Sequence, residues 1–352
     1  MGSIAKRSVR EQWMLPSRNV QGALVISLDF ELFWGVRDHR SLDNKERHRL
    51  LAARAVIPRL LTLFREFSIH ATWATVGALF AGSNDEFEAF APVRKPVYSR
   101  PQFDAYQERL GRDESEDPFH FAPTLIAQIG RTPGQEIASH SYSHFYALEA
   151  GQTVGDFESD LASAVAVAAV KGFEIYSYVF PRNQSNLEYL AALGRSGIIA
   201  YRGTEAAAVK QHADYRSQRR PHRRLARLTD AYIDLYGPET VAWSSLQSGP
   251  CVSVGASRYL RPYHPALKPL ERLRFSRIAN AMRSAALNGS IFHLWFHPED
   301  FAVYTDENLD FLAEVLDCYR VLRNTEQLMS LSMREAAEYA IRSHDIEGTR
   351  VS

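Results

Sequence analysis

Short apolar runs rich in β-branched and aromatic side chains alternate along this chain with longer amphipathic stretches, and that alternation leaves few folds open. The runs Gly22–Leu28, His70–Val76, Gln135–Ser139, Ile175–Phe180, Ile198–Tyr201, Val252–Val254 and Ser290–Phe296 read as strands. Between and after them, helical spacing predicts helices over Asn44–Phe67, Thr124–Arg131, Val154–Val170, Leu187–Arg195, Pro269–Asn288, Glu307–Arg323 and Met333–Arg342. Strand and helix in alternation predict an α/β fold with a largely parallel sheet, because parallel neighbours need a long crossover between them.

Two segments break the rhythm. One, about 82–123, carries Tyr98, Phe103, Tyr106, Phe119 and His120; the other, about 203–265, carries Trp243 and a run from Arg216 to Arg227 that holds six arginines. Long insertions after strands usually build the rim of a pocket, so both are expected there. The arginine run reads either as a solvated face or as a site for a phosphate on the substrate. Globally the 41 basic and 41 acidic side chains balance, and no field favours nucleic acid. Two cysteines, Cys251 and Cys318, are too few for a disulfide scaffold in 352 residues. Residues 1–20 read as an N-terminal extension without the apolar core of a secretion signal, and no run is long enough to span a bilayer; both lead to the expectation of a cytoplasmic protein. Oligomeric state is not legible.

Chemistry gathers where the apolar runs stop. Gln135–Ser139 is followed by His140 and, four residues on, His144; Gly22–Leu28 is followed by Asp29 and Glu31; the last run delivers His297. Alone, a His-x-x-x-His pair reads equally as two hydrogen-bonded histidines, and an Asp-x-Glu pair as a helix cap. Together, two imidazoles and a carboxylate make a borderline-soft divalent site, most simply for Zn2+, with a position left for water.

Four segments in order resemble the polysaccharide deacetylases, carbohydrate esterases that remove N-acetyl groups from amino sugars. They are Ser27 to Glu31, Ile69 to Gly77 (IHATWATVG), Gly134 to His144 (GQEIASHSYSH) and Trp295-Phe296-His297-Pro298. The resemblance implies a distorted, incomplete (β/α) barrel of about seven strands, a catalytic domain over 21–345, and active residues at the C-terminal ends of strands. It implies Glu31, His140 and His144 as metal ligands, Asp29 as catalytic base and His297 as catalytic acid, with the roles of Asp29 and Glu31 open to exchange. The family's arginine that pairs with the base precedes a proline, whereas here Pro181 precedes Arg182; Arg182 is the substitute and Arg202 its competitor. Pro181 and Arg202 are expected near the substrate. Trp34, with Phe33, either stacks on a sugar or packs in the core, and His293, deep in its apolar run, reads as a core histidine.

The function expected is metal-dependent removal of an N-acetyl or similar small acyl group from an amino sugar or glycoconjugate, with or without a phosphate. Hydrolysis of a small non-sugar amide and metal-free carbohydrate binding are the alternatives. The second of these has no need of Asp29, Glu31, His140, His144 and His297 together.

Overall fold

A computed structural model describes residues 20–204, 232, 239–246 and 249–348. The run Arg216 to Arg227 and nearly all of the expected N-terminal extension lie outside the described residues.

The chain is a mixed α/β barrel. In order it forms β1 (Ala23–Phe30), α1 (Asn44–Phe67), β2 (Ala71–Thr75), α2 (Asn84–Phe90), α3 (Pro123–Arg131), β3 (Gln135–Ser139), α4 (Val154–Val170), β4 (Ser177–Tyr178), α5 (Leu187–Arg195) and β5 (Ala200–Gly203). There follow β6 (Val241–Ala242), β7 (Val252–Gly255), β8 (Arg258–Tyr259), α6 (Glu271–Asn288), β9 (Ser290–Phe296), α7 (Thr305–Glu326), β10 (Met329–Leu331) and α8 (Met333–Gly348). The sheet runs β6-β9-β1-β2-β3-β4-β5-β7, parallel except where β6 meets β9. Its ends approach through one segment: β7 pairs with β5, and β8, two residues later, pairs with β9. Between them Ala256 N–H donates to Gly203 O and Ser257 N–H to His293 O. That short bridge leaves the seam unsealed, so the barrel is distorted and incomplete, as expected.

Alternation sorts every strand into an outer and an inner column. On β1, Leu24, Ile26, Leu28 and Phe30 join the large apolar layer under the helices, whereas Ala23 and Val25 join a second cluster with Ala74, Val179, Ala200, Val252, Val254 and Ile291. Most of this second cluster forms the floor of the barrel, while Ala74 and Val179 stand higher, level with Asp29 and His140. Met333, Ala336, Ala337 and Ala340 of α8 pack on that floor, the three alanines letting the helix come close at the lower end. Two residues up the inner column of β1 stand Ser27 and Asp29; on β9 the same column reads Ile291, His293, Trp295 and then His297. The upper half of the barrel interior is therefore polar while its floor is apolar.

The helices begin where side chains can take up the free backbone donors. Asp43 caps α1 by accepting from Glu46 N–H, and Thr153 and Asp156 form a reciprocal capping box on α4. All seven expected helices form, most within one to three residues of the expected bounds, but the last runs on to Gly348 where Arg342 was expected, and α2 was not expected. The strands missed are β6, β8 and β10, each two or three residues long, and β4 is shorter than expected.

Candidate active site

Asp29 ends the inner column of β1, and Arg202 faces it from β5. The guanidinium meets the carboxylate as a fork, Nη1 to Oδ1 at 2.5 Å and Nη2 to Oδ2 at 2.7 Å. Both groups are buried, and the Arg202 ion lies 4.4 Å from the centroid of the Trp295 ring. Burial alone would raise the Asp29 carboxyl, but the charge of Arg202 facing it holds it below its ordinary value. The arginine that pairs with the expected base is thus Arg202. Arg182 does not take that role: it sits in a left-handed turn after Pro181, forms an ion pair with buried Asp38, and lies over the Tyr146 ring at 4.6 Å. The same turn supplies Asn183, whose Oδ1 accepts from Arg202 Nε at 3.2 Å and Nη2 at 2.9 Å. Pro181 is buried and starts that turn.

Glu31, one residue beyond β1, turns its carboxylate toward two histidines. Oε1 lies 2.7 Å from His140 Nε2 and 3.2 Å from His144 Nε2. The turn depends on Gly35, where a Cβ would stand 1.7 Å from Glu31 Oε2. It depends also on Glu299, whose Oε1 accepts from the backbone N–H of Glu31 at 3.2 Å and of Leu32 at 2.5 Å. Between the histidines, Asp160 of α4 accepts from the N–H groups of Tyr142 at 2.7 Å and Ser143 at 3.1 Å. Strain concentrates here: Leu32, Ser141, His144, Arg182 and Asn183 all adopt positive φ without being glycine.

His140 Nδ1 lies 2.8 Å from Val179 O, a carbonyl that can only accept, so Nδ1 carries a proton, and in the neutral form of the ring it is the Nε2 lone pair that faces Glu31. A lone pair facing a carboxylate oxygen at 2.7 Å is repulsive unless a proton or a cation lies between. With His144 Nε2 aimed at the same oxygen, one oxygen and two nitrogens converge as a divalent ion requires, and the ligand atoms of Glu31, His140 and His144 lie within 4.8 Å of one another. The donor set fits Zn2+. Without an ion between them the ring protons take its place: burial would raise the Glu31 carboxyl, but a charge on His144 and hydrogen bonds from Nε2 of both rings hold it well below its ordinary value.

Across from Asp29, His297 Nε2 is 3.8 Å from Asp29 Oδ2. Its Nδ1 donates to Asp300 Oδ2 at 3.0 Å, and the same oxygen receives the Tyr259 hydroxyl at 2.6 Å. Burial opposes a charge on this ring, but Asp300, then Glu31 and Asp29, raise its pKa to about 10. Trp34, in contrast, is fully buried. Its ring stacks on Phe87 at 5.6 Å and its Nε1 donates to His120 O at 3.0 Å, so it does not line the pocket and belongs to the core. Phe33 is buried beside it. His293 is a core histidine, as expected, but not an idle one: Ser27 Oγ lies 2.8 Å from its Nε2.

Known structures bear on this geometry. A protein from Mycobacterium smegmatis assigned as a polysaccharide deacetylase superposes with a TM-score of 0.57 at 15% identity, over 94% of each chain. One from Pseudomonas aeruginosa PAO1 with the same assignment gives 0.53 at 10%, over 92% of this chain and 91% of that one. The chain has the polysaccharide deacetylase fold. An allantoinase shares it too, with a TM-score of 0.51 at 11% identity over 92% of this chain and 91% of its own. No protein-family model matches the sequence, and no curated protein matches it. Within this fold Asp29, Glu31, His140, His144 and His297 gather in the polar upper half of the barrel, and Arg182 stands beside them over the Tyr146 ring, paired with Asp38 and not with Asp29.

Asn183, Asp300, Glu299, Asp160 and Gly35 were not expected. Asp300 had a signal, since i+3 spacing after His297 suits a side chain reaching back to a strand end; Asn183, Glu299 and Asp160 are set by contacts remote in sequence, and Gly35 by how the Glu31 side chain folds back over it.

Proposed function

We propose that this chain is a metal-dependent hydrolase that removes an N-acetyl or similar small acyl group from an amino sugar or glycoconjugate. The observation that carries the proposal is the placement of Asp29, locked by Arg202, between the Glu31–His140–His144 cluster and His297. An amide resists hydrolysis because its carbonyl is a poor electrophile and its amine a poor leaving group. A zinc ion held by Glu31, His140 and His144 would supply Lewis acidity toward the carbonyl and toward a water molecule.

The chain's own groups do the rest. Asp29, kept ionised by Arg202, accepts the proton of the attacking water, and the fork holds its carboxylate in place through the step. His297, protonated at neutral pH and held by Asp300, delivers a proton from Nε2 to the departing nitrogen. Acetate, or another small acid, and a free amine result. Pro181 and the partly exposed Trp295 are proposed to face the substrate, and Arg202 to act on the base rather than on the sugar. A phosphate on the substrate, bound by the run Arg216 to Arg227, remains part of the reading; so does a cytoplasmic location. Among the described residues no helix is long and apolar enough to cross a membrane.

The allantoinase among the fold neighbours favours, as second reading, hydrolysis of a small non-sugar amide by the same groups. Incubation of the zinc-loaded protein with N-acylated sugars, nucleotide sugars and cyclic amides, followed by mass spectrometry, decides between them. Loss of 42 Da (about one acetyl) from a sugar supports the first; ring opening alone supports the second; no product from any of them, with metal bound, removes both.

A further inference from the structure

Arg202 uses all the donors a guanidinium has. Two go to Asp29 and two to Asn183 Oδ1, and Nη1 donates the last to Ser27 Oγ at 3.2 Å. Because Ser27 Oγ accepts there, its own proton must go elsewhere, and the neighbouring acceptor is His293 Nε2 at 2.8 Å. For Nε2 to accept, the ring must be neutral with its proton on Nδ1, and Nδ1 lies 3.2 Å from Gly255 O, which can only accept. The direction of each hydrogen bond is therefore fixed in turn from Gly255 to Asp29.

We infer that His293 is a positioning residue: by accepting the Ser27 hydroxyl it turns the Ser27 lone pair to Arg202, and so sets the fork that aligns Asp29. The site is built for that task. His293 and Ser27 are fully buried on the inner columns of adjacent strands, and His293 is held from behind by its N–H to Ser257 Oγ at 3.0 Å and by Ser257 N–H to its carbonyl at 2.9 Å. A histidine wanted only for bulk would be replaced there by leucine without consequence, since the floor below it is aliphatic. Burial, with the Arg202 charge, holds the ring neutral, with a pKa of about 3, which is the protonation state the relay requires. The inference rests on the hydrolase reading for its kinetic effect, though not for its structural one.

Two measurements keep these apart. In 15N NMR the Arg202 guanidinium of the parent protein should give separate Nη signals, because the fork cannot rotate. In His293→Leu they should merge. In His293→Gln, whose side-chain oxygen can take the hydroxyl proton, they should stay separate. On an N-acetylhexosamine substrate His293→Leu should lower kcat roughly 10- to 100-fold with KM within about twofold, and His293→Gln should recover most of the loss. Should His293→Leu not fold, Ser27→Ala cuts the same link from the other end and should give the same merged signals and the same kcat loss. Separate Nη signals and an unchanged kcat in either variant would overturn the inference. If the parent protein turns over no N-acetyl sugar, the proposed substrate is wrong, yet the NMR comparison still decides the role of His293.

Discussion

Asp300 Oδ2 lies 3.0 Å from His297 Nδ1 and so fixes which nitrogen of that ring faces Asp29. A proton donor works only while it is charged, so activity should fall as pH rises through the His297 pKa. Burial lowers that pKa, but Asp300 first, then Glu31 and Asp29, lift it to about 10. Replacing Asp300 with Asn keeps an acceptor and removes its charge. The basic limb of kcat/KM should then move to lower pH, and an NMR titration of the ring should move with it. A limb that stays in place while the ring titration shifts would mean that another group gives the proton.

The Glu31 site makes a separate prediction. The double change His140→Ala, His144→Ala removes both imidazoles from the Glu31 carboxylate and should abolish stoichiometric zinc binding in equilibrium dialysis. Asp29→Asn, in contrast, should bind zinc and lose about 10²- to 10⁴-fold in turnover, because Asp29 is turned to Arg202. Zinc lost from Asp29→Asn but retained by Glu31→Gln would exchange the two roles.

The inner and outer columns of the strands explain what the sequence could and could not tell. Asp29, His140 and His297 each end or follow an inward column, which is why apolar runs that stop at a polar residue pointed to them. The same alternation favours Arg202, two residues after inward Ala200, over Arg182, which lies in a left-handed turn no periodicity describes. The sequence resemblance, read by position beside a proline, put Arg182 first and Arg202 second, whereas the arginine that meets Asp29 is Arg202. Trp34 was ambiguous for a different reason: whether an aromatic ring meets substrate or core depends on what covers it, and its cover is Phe87, fifty-three residues away in the insertion. Strands of two or three residues, such as β6 and β8, are too short to show a period at all.

Trp34 gives a stability prediction. With its ring stacked on Phe87, edge-on to His120 at 5.2 Å and its Nε1 hydrogen-bonded, Trp34→Ala should destabilise the protein by about 3–5 kcal/mol in denaturant unfolding. At a temperature where the variant is folded, KM for an amino sugar should be close to that of the parent. A large rise in KM with little loss of stability would return Trp34 to the substrate.

His293 links the barrel interior to acid stability. Its pKa of about 3, against an ordinary 6.5, follows from burial first and the Arg202 charge second. The sign is that of a depressed histidine: below pH 6.5 the unfolded chain takes up a proton that the folded ring refuses until about pH 3, so stability present above 6.5 is lost as pH falls. Asp160 and Glu299 work the other way, since burial raises their carboxyls to about 6 and about 7 and the folded state binds those protons first. The parent curve alone therefore mixes opposing contributions, and the difference between parent and His293→Gln isolates the ring. That difference should shift against the parent by about 3 kcal/mol between roughly pH 8 and pH 4.5 in urea unfolding. A difference independent of pH would mean that the folded ring takes up its proton as readily as the unfolded one, and a difference that shifts in favour of the parent as pH falls would mean that the ring is charged in the folded protein, with the hydrogen-bond directions from Gly255 to Asp29 reversed.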